Sequence, residues 1–346
     1  MARELTHSGP VLQRLAALAF GGALTAFAVA ALDLSVFEAM DDEPSDVADL
    51  ARRLEVDRAA LNRLLRVLAT HGIVEQVTPQ RYRHTDLSRL LDPTAAGSAA
   101  DMLRMGLAQQ GVEKLAADAV RTGRSMFAQM HGKNFFAHLA EDQGAADVFN
   151  RTMTGNMERD SRRLVDLLDL SGDETVADIG GGRGQLLRAL LRRWPGLDGI
   201  LFDLRPVVDT ADPELRAGGR LAGRCALVAG DCQESVPVVA DVYLLKNVLH
   251  MWDDDTGVRV LRNIAAVAPE GARVILVEQL LYSGGPYEAT GTLLDMIMLS
   301  FLGGKERTEP EFAELFTAAG LSFRGATQID DGLIALIEGR ASETRR

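Results

Sequence analysis

The chain has 346 residues, a length that favours about two domains and allows a full hydrophobic core without metal or disulfide support. Hydrophobic residues make up 47 % and charged residues 25 %, which excludes wholesale disorder. Asp and Glu number 49 against 37 Lys and Arg, and the net charge of −12 argues against a protein that tracks nucleic-acid phosphates. Cys225 and Cys232 lack CxxC spacing, which argues against a disulfide scaffold or a cysteine-ligated zinc site and predicts a cytoplasmic setting.

Residues 15–32 form a charge-free stretch close to the length of a membrane span. Arg3 and Arg14 precede it, and the AVA triplet near its end resembles a secretory cleavage site. Its Ala and Gly content and the helical spacing of its larger apolar side chains favour a packed helix instead. Glu4 also spoils the positive start of a signal peptide. We therefore expect a buried or interface helix, with no membrane association.

Residues 1–100 predict a helical domain of the winged-helix kind. DVADLARRLEV and DRAALNRLLRVLATHGIVEQV predict two helices, the second ended by Gly72, and IVEQV with RYRHT predicts a β pair. Such a domain binds DNA in some proteins and pairs subunits in others. Arginines lie near it at Arg58, Arg63, Arg66, Arg81 and Arg83. The acidic chain and the larger domain that follows favour a homodimerisation domain over a DNA-binding regulator.

Residues 101–170 predict helices throughout, and methionines recur among their apolar positions. Methionine-rich faces usually pack in a core, and they also line pockets for flat ligands of variable shape. We expect this segment to connect the two domains and to contribute to a substrate pocket.

Residues 171–346 alternate short apolar runs with helical stretches such as QLLRALLRRWPG. TVADIG, GILFDL, CALVAG, DVYLLKNV, RVILVEQLL and LIALIEG predict strands. Strands that alternate with helices predict a doubly wound, mostly parallel sheet, to which the last run adds an antiparallel edge. The predicted fold class is therefore α/β and Rossmann-like, with an N-terminal all-helical or winged-helix domain.

A glycine-rich turn follows the first of these strands. VADIGGGRG places Gly180 and Gly182 between a strand and a helix, where glycine allows a tight turn and close approach to a nucleotide-like ligand. The dinucleotide pattern GxGxxG is out of register because its sixth position is Gln185, and no Walker GK[ST] is present. The loop predicts a nucleotide-like cofactor of another kind.

Acidic residues mark successive strand ends beside this loop. Asp203 lies 23 residues after Gly180, where a carboxylate accepts hydrogen bonds from ribose hydroxyls. Asp231 can meet an adenine amino group, and Asp178 can orient an ammonium. Each aspartate alone is equally a turn or cap residue, but their order together favours a cationic adenosine cofactor. S-adenosylmethionine has these features and NAD does not.

His250 lies beyond the fourth predicted strand, with Glu278 following 28 residues later and Glu306 another 28 residues on. A histidine between two carboxylates predicts a general base with orienting partners. The glutamates have an alternative role as caps or salt-bridge partners of the basic residues in GGKERT.

The glycine loop, FDL, GD, LLKNVLHMWDDD, LVE and GGKERTEPEF together resemble the class I S-adenosylmethionine-dependent O-methyltransferases. The resemblance is to the branch of plant caffeate-type and bacterial antibiotic-tailoring enzymes, and it covers nearly the whole chain. KxxxH with GGKERT is specific to the family, whereas the glycine loop is not. AFAVAALDLSVFEAM resembles the family's dimer-interface helix. The resemblance implies O-methylation of a small aromatic or polyketide-type metabolite, with S-adenosylhomocysteine as product.

The resemblance also implies roles for individual residues. Cofactor contacts come from Gly180, Asp203, Leu204, Asp231, Cys232 and Lys246, beside the Asp178 and Gly182 singled out above. His250 is the base, bracketed by Glu278 and Glu306, and no metal is expected. FNRTM implies a substrate-clamping Met153 and Met298 a second, and the substrate-binding set is completed by Phe149, Met157 and Phe301.

Three positions depart from the family pattern. Met251 stands where the family often has an acidic residue, Phe301 where plant enzymes often have Asn, and Cys232 where a hydrophobic or aromatic residue is common. These positions affect substrate shape and cofactor packing more than the reaction. C- or N-methylation, or a decarboxylation or hydroxylation on the same fold, remain alternatives.

Overall fold

The computed structural model describes residues 9–95, 98–109, 116–282, 284, 287–329 and 334–341; for residues 108–109, 143, 150, 154–160 and 162 it describes the backbone alone. The chain divides into two compact units, Met1–Glu113 with Asp142–Asn156 and Lys114–Glu141 with Met157–Arg346. Each unit therefore takes part of the segment 101–170. The three-part division expected from the sequence stays a prediction.

The first unit is built mainly from helices around a small sheet. Its elements are α1 (Gly9–Asp33), α2 (Val36–Ala39), β1 (Ser45–Asp46), α3 (Val47–Arg53), α4 (Arg58–Thr70), β2 (Val74–Thr78), β3 (Arg81–His84), α5 (Asp86–Leu90) and α6 (Ala100–Gln109). Asp46 and Asp57 cap α3 and α4 by accepting backbone N–H groups. The strands pair antiparallel in the order β1-β3-β2. This helix–turn–helix with a following β pair has the predicted winged-helix form.

Helix α1 combines a buried end with an exposed apolar remainder. It is 25 residues long and contains an 18-residue stretch with a mean hydropathy of 2.1, so by length and composition alone it is able to cross a membrane. Only 22 % of that stretch is buried. Ala31 and Leu32 enter the core of the unit, whereas Leu15, Leu18 and Phe20 are exposed, with Leu18 at 83 %. The helix therefore presents an uncovered apolar face, not the fully buried one that the sequence also allowed.

The second unit carries a large sheet between helices. In chain order its elements are α7 (Ala116–Thr122), α8 (Phe127–His131), α9 (Phe135–Glu141), α10 (Gln143–Leu167, shared with the first unit), β4 (Thr175–Ile179), α11 (Gln185–Arg193), β5 (Asp198–Asp203), α12 (Arg205–Val208), β6 (Cys225–Ala229), β7 (Val242–Lys246), α13 (Asp254–Ala265), β8 (Arg273–Gln279), α14 (Glu288–Leu302), α15 (Glu309–Ala318), β9 (Leu321–Gln328) and β10 (Ile334–Ala341). Short 3₁₀ helices lie at Ala222–Arg224 and Leu249–Met251.

The seven strands lie in the order β6-β5-β4-β7-β8-β10-β9. The first five are parallel, and β10 is antiparallel to both β8 and β9. The predicted α/β fold with a mostly parallel sheet is confirmed. The last apolar run, β10, is antiparallel as expected but lies inside the sheet between β8 and β9. The edge strand is β9, which was not predicted because its mixed sequence LSFRGATQ carries no clear apolar alternation. The strand order reverses at β4, between β5 and β7, and this reversal opens a ligand crevice at the carboxyl edge.

Candidate active site

The sheet brings most of the predicted polar residues to its carboxyl edge. Asp178 lies in β4 one residue before its end, Asp203 ends β5, and Lys246 ends β7. Glu278 lies one residue before the end of β8. Because these strands are parallel neighbours, four charged side chains meet at the edge where open α/β sheets bind ligands. Asp231 follows the end of β6 by two residues.

The glycine loop needs its glycines for two different reasons. Gly180 and Gly182 have φ angles of +67° and +61°, which favour glycine. A Cβ on Gly181 would lie 2.5 Å from the Asp178 carboxyl carbon, so only glycine lets the loop close over that side chain. A Cβ on Gly182 would meet no atom within 4 Å, so the loop is open on that side.

Asp203 holds this loop in place. One carboxylate oxygen accepts the Gly182 N–H at 2.8 Å and the other accepts the Leu204 N–H at 2.7 Å. Burial raises the pKa of Asp203, and the two N–H groups offset this only in part. A carboxylate accepts about four hydrogen bonds, so this side chain retains acceptor capacity for ligand hydroxyls. Leu204 itself is half exposed.

Asp178 is a carboxylate buried beside a second carboxylate. Its side chain is 2 % exposed, and its Oδ2 has no hydrogen-bond partner. Burial raises the pKa of Asp178 to about 7, the charge of Asp203 adds to this, and Lys246 opposes it. A cationic ligand at this edge would stabilise the charged form. The residues therefore fit a positively charged cofactor such as S-adenosylmethionine.

Asp231 and Cys232 have ordinary structural contacts at the β6 end. Asp231 accepts the Gln233 N–H at 2.8 Å, a turn contact of the kind expected for an isolated aspartate. The Cys232 carbonyl accepts from the Asn263 side chain at 2.8 Å. Burial raises the pKa of the Cys232 thiol to about 12, so this side chain is a neutral packing group.

His250 sits in a turn that Glu278 caps. The residue belongs to the 3₁₀ helix Leu249–Met251, which follows a left-handed Asn247 with φ of 54°. Glu278 Oε1 accepts the N–H groups of Val248 and Leu249, both at 2.8 Å. The other oxygen, Oε2, lies 4.0 Å from His250 Nδ1. Glu278 thus combines the capping role with a position beside the imidazole.

Glu306 makes the direct contact with the imidazole. Its Oε1 lies 2.9 Å from His250 Nδ1, and its own N–H donates to Asp295 Oδ1 at 2.9 Å. Glu278 and Glu306 are buried, whereas the His250 side chain is 20 % exposed. An ionised Glu306 selects the tautomer in which Nδ1 carries the proton. Nε2 is then the nitrogen left to accept a proton.

Burial and neighbouring charges have opposing effects on the protonation of His250 and Glu278. Burial alone would lower the pKa of His250, but the charge of Glu278 and the hydrogen bond to Glu306 outweigh burial, and the net shift is upward. Burial also raises the pKa of Glu278, to which the charge of Glu306 adds, while His250 opposes it. The cluster is therefore suited to accept and stabilise one positive charge on the imidazole.

One donor atom from each of His250, Glu278 and Glu306 lies within 4.8 Å of the others, so their spacing is compatible with a metal ion. The expected absence of a metal stays a prediction.

The predicted substrate residues are divided between the two units. Met298 is half-buried on α14, and the buried Phe301 packs against Phe127 with ring centroids 5.6 Å apart. Phe149 and Met153 are half-buried on the part of α10 that belongs to the first unit. Met157 also lies on α10, but its side chain is outside the described residues. That these residues share one pocket stays a prediction.

The GGKERT segment makes close contacts that the sequence did not predict. A Cβ on Gly304 would lie 2.0 Å from the His250 carbonyl oxygen, so only glycine lets the segment pass there. The Lys305 N–H donates to that carbonyl at 3.0 Å. Lys305 forms ion pairs with Glu311 and Asp254, and Arg307 pairs with Asp254; neither pairs with Glu278 or Glu306. The paired glycines were a signal for the close approach, whereas the contact of Asp295 with Glu306 left no local signal.

Two family models match the chain. A model of the O-methyltransferase domain matches residues 113–322, and a model of the O-methyltransferase dimerisation domain matches residues 16–93.

Individual proteins are similar over most of the chain. The mitomycin biosynthesis 6-O-methyltransferase of Streptomyces lavendulae is 36 % identical, covering 90 % of this chain and 89 % of the relative. The aclacinomycin 10-hydroxylase of Streptomyces purpurascens is 33 % identical, covering 80 % of this chain and 75 % of the relative. A solved O-methyltransferase from neocarzinostatin biosynthesis, in complex with S-adenosylhomocysteine and 1,4-dihydroxy-2-naphthoic acid, matches with a TM-score of 0.74 at 29 % identity, covering 92 % of this chain and 95 % of that one.

Asp178→Asn is expected to stabilise the cofactor-free protein at pH 8 and to weaken S-adenosylmethionine binding. A carboxyl whose pKa is raised on folding from 3.8 to about 7 costs stability progressively as the pH rises through that window. The neutral amide removes this cost, and we expect a gain of roughly 1–3 kcal/mol at pH 8 and little gain at pH 4. Urea unfolding at both pH values measures the stability, and calorimetry measures the affinity.

Asp198→Asn is the matched control, since Asp198 is an exposed aspartate at the start of β5, on the opposite edge of the sheet. An Asp178→Asn protein with unchanged stability at pH 8 and unchanged affinity for S-adenosylmethionine would contradict the expected role of Asp178 as a buried carboxylate that favours a cationic cofactor.

Proposed function

We propose that this chain, which belongs to the family of S-adenosylmethionine-dependent O-methyltransferases, methylates a hydroxyl of a small aromatic or polyketide-type secondary metabolite. The observation that carries the proposal is the 2.9 Å contact between His250 Nδ1 and Glu306 at the carboxyl edge of the sheet. The substrate class is supported by relatives named for mitomycin and neocarzinostatin biosynthesis, one of which binds a dihydroxynaphthoic acid.

His250 is the proposed general base. A phenol ionises near pH 10, so at neutral pH a base beside the hydroxyl increases the fraction of nucleophile. Nδ1 donates to Glu306, and Nε2 takes the proton from the acceptor oxygen. Glu306 and Glu278 then stabilise the imidazolium, and Asp295 holds the backbone of Glu306. Alignment of the reacting groups can contribute roughly 7–11 kcal/mol more.

S-adenosylmethionine, when bound, supplies a methyl group carried by a sulfonium, whose sulfur is a good leaving group because it departs as a neutral thioether. The proposed cofactor contacts are Asp178, Gly180, Gly182, Asp203, Leu204, Asp231, Cys232 and Lys246. Asp178 and Asp203 supply the negative charge that suits a cation, and the open side of the loop at Gly182 leaves room for it. The proposed substrate contacts are Phe149, Met153, Met157, Met298 and Phe301.

A different reaction on the same scaffold is the second candidate. One relative of similar identity is named as a hydroxylase, so the fold alone does not decide the chemistry. The hydrogen-bonded His250–Glu306 pair favours proton removal and methyl transfer over that alternative. Mass spectrometry of a reaction with methyl-labelled cofactor separates them. O-methyl transfer yields S-adenosylhomocysteine and a labelled methyl ether, C- or N-methylation places the label on another atom, and hydroxylation or decarboxylation leaves the acceptor unlabelled.

The first unit is proposed to pair two copies of the chain in the cytoplasm. It matches the family's dimerisation domain, and α1 exposes apolar side chains at Val11, Leu12, Leu15, Leu18, Phe20 and Phe27. Three arginines around the winged helix are engaged within the unit: Arg58 bonds Gln80, Arg81 bonds the Pro44 carbonyl and Arg83 pairs with Glu75. These contacts support pairing of subunits over binding of nucleic acid.

Leu18→Glu is expected to convert a dimer into a monomer, because it places a charge in the apolar face of α1. Sedimentation velocity measures the mass, and Val239→Glu, at an exposed apolar position in the second unit, is the control. A wild-type monomer would contradict pairing through the first unit. Wild-type protein that sediments with lipid vesicles would contradict the assignment of the apolar face of α1 to the dimer interface.

His250→Gln is expected to lower kcat by about 10²–10⁴-fold, the range for loss of a general base, with the Kd for S-adenosylmethionine within about threefold of wild type. The comparison variant is His71→Gln, at an exposed histidine of the first unit. Equal losses in turnover and binding, or undiminished turnover, would refute the role of His250.

The pH profile of kcat/KM is expected to have an acid limb above pH 6.5, since the base must be neutral and the pKa of His250 is raised. Glu306→Gln removes a negative charge that raises this pKa, so the limb moves to lower pH. Glu309→Gln, at an exposed glutamate nearby, leaves the limb in place. A limb that stays fixed or moves upward in Glu306→Gln would contradict the proposed coupling.

A further inference from the structure

Arg307 is a fully buried arginine with several hydrogen-bond partners. Its side chain is 0 % exposed, and a buried guanidinium requires acceptors for its donors. Nη1 donates to the Leu249 carbonyl at 3.0 Å, and Nη2 donates to the Trp252 carbonyl at 2.8 Å. Nε pairs with Asp254 Oδ1 at 2.8 Å. Three acceptors in one short segment are therefore gathered by a single side chain.

These acceptors enclose the turn that carries His250. Leu249 precedes His250 directly, Trp252 follows it by two residues, and Asp254 begins α13. The rigid fork of the guanidinium matches several acceptors at fixed spacing, whereas an ammonium is a single point charge. The fork consequently fixes the backbone on both sides of the imidazole.

The backbone of Arg307 is attached to the strand that supplies Glu278. The Leu281 N–H donates to the Arg307 carbonyl at 2.9 Å, and Arg307 forms a bridge with Leu280, the residue after β8. Glu306 is the residue directly before Arg307 in the chain. Arg307 thus connects the His250 turn, the end of β8 and the Glu306 backbone.

We propose that Arg307 is a positioning residue, which keeps the His250 imidazole at hydrogen-bond distance from Glu306 by holding the turn on both sides of it. The proposal rests on the proposed function of His250 as the base. A displacement of about 1 Å in such a contact can lower a rate by about 100-fold. Arg307 acts through the backbone of the turn, to which its side chain is bonded.

Arg307→Lys keeps the charge and removes the fork. We expect kcat to fall about 10- to 100-fold while the Kd for S-adenosylmethionine stays within about threefold of wild type. In NMR titrations with labelled histidine, assigned with the His250→Gln protein, the midpoint of His250 shifts to lower pH as its contact with Glu306 loosens. Arg262→Lys is the matched control, because Arg262 also bonds a carbonyl, that of Ala318, at an exposed site on α13.

Asp254→Asn is the second variant, since this half-exposed side chain can be changed without burying a new group. It weakens the hold on Arg307, and we expect a smaller loss of kcat and a smaller shift of the His250 midpoint in the same direction. This variant carries the test if Arg307→Lys does not fold.

A lower melting temperature with an unchanged His250 midpoint and unchanged kcat in Arg307→Lys, or an unchanged midpoint in Asp254→Asn, would overturn the inference. Full turnover in His250→Gln would overturn the proposed function instead, and the His250 midpoint would still decide the role of Arg307.

Discussion

The hydrogen bond between His250 and Glu306 forms where water screens it little, because Glu306 and the neighbouring Glu278 are both buried. Two carboxylates removed from water are costly unless hydrogen bonds or a positive charge compensate them. Glu278 caps the turn before His250 with one oxygen, and the imidazole lies beside the other. The cost that burial imposes on the two carboxylates therefore favours a proton on His250, as the proposed role of His250 as general base requires.

At the sheet edge proposed to bind the cofactor, buried carboxylates again favour a nearby positive charge, here that of a cationic cofactor instead of a protonated imidazole. Asp178 and Asp203 lie at the ends of neighbouring strands, and burial raises the pKa of both. On the proposed assignment of this site, a positively charged cofactor would stabilise the charged forms of both carboxylates, and part of its binding energy would come from relief of the cost of their burial. On the same proposal, the Asp178 carboxylate favours cofactor binding and lowers the stability of the free protein.

Much of this arrangement was predictable because it depends on chain order. Strand–helix alternation predicts the parallel sheet, and parallel strands bring Asp203, Lys246 and Glu278 to one edge regardless of side-chain detail. The order of His250, Glu278 and Glu306 along the chain already predicted orienting carboxylates, and the family resemblance implied the same, but neither indicated that Glu306, 56 residues away, makes the direct contact. Strand β9 and the multiple contacts of Arg307 were not predictable, because both depend on tertiary pairing that overrides local pattern. Tertiary structure likewise decides that Lys305 and Arg307 pair with Asp254 and not with the adjacent Glu306.

The most direct test of the account uses acceptors of one shape whose phenol pKa falls from about 10 to about 7. The kcat ratio of wild type to His250→Gln is measured at one pH near 7.5 for each acceptor. If His250 removes the proton, the ratio is large for the weakly acidic phenols and declines toward one as the phenol ionises without help. A ratio that stays constant across the series would contradict the role of His250 as the general base.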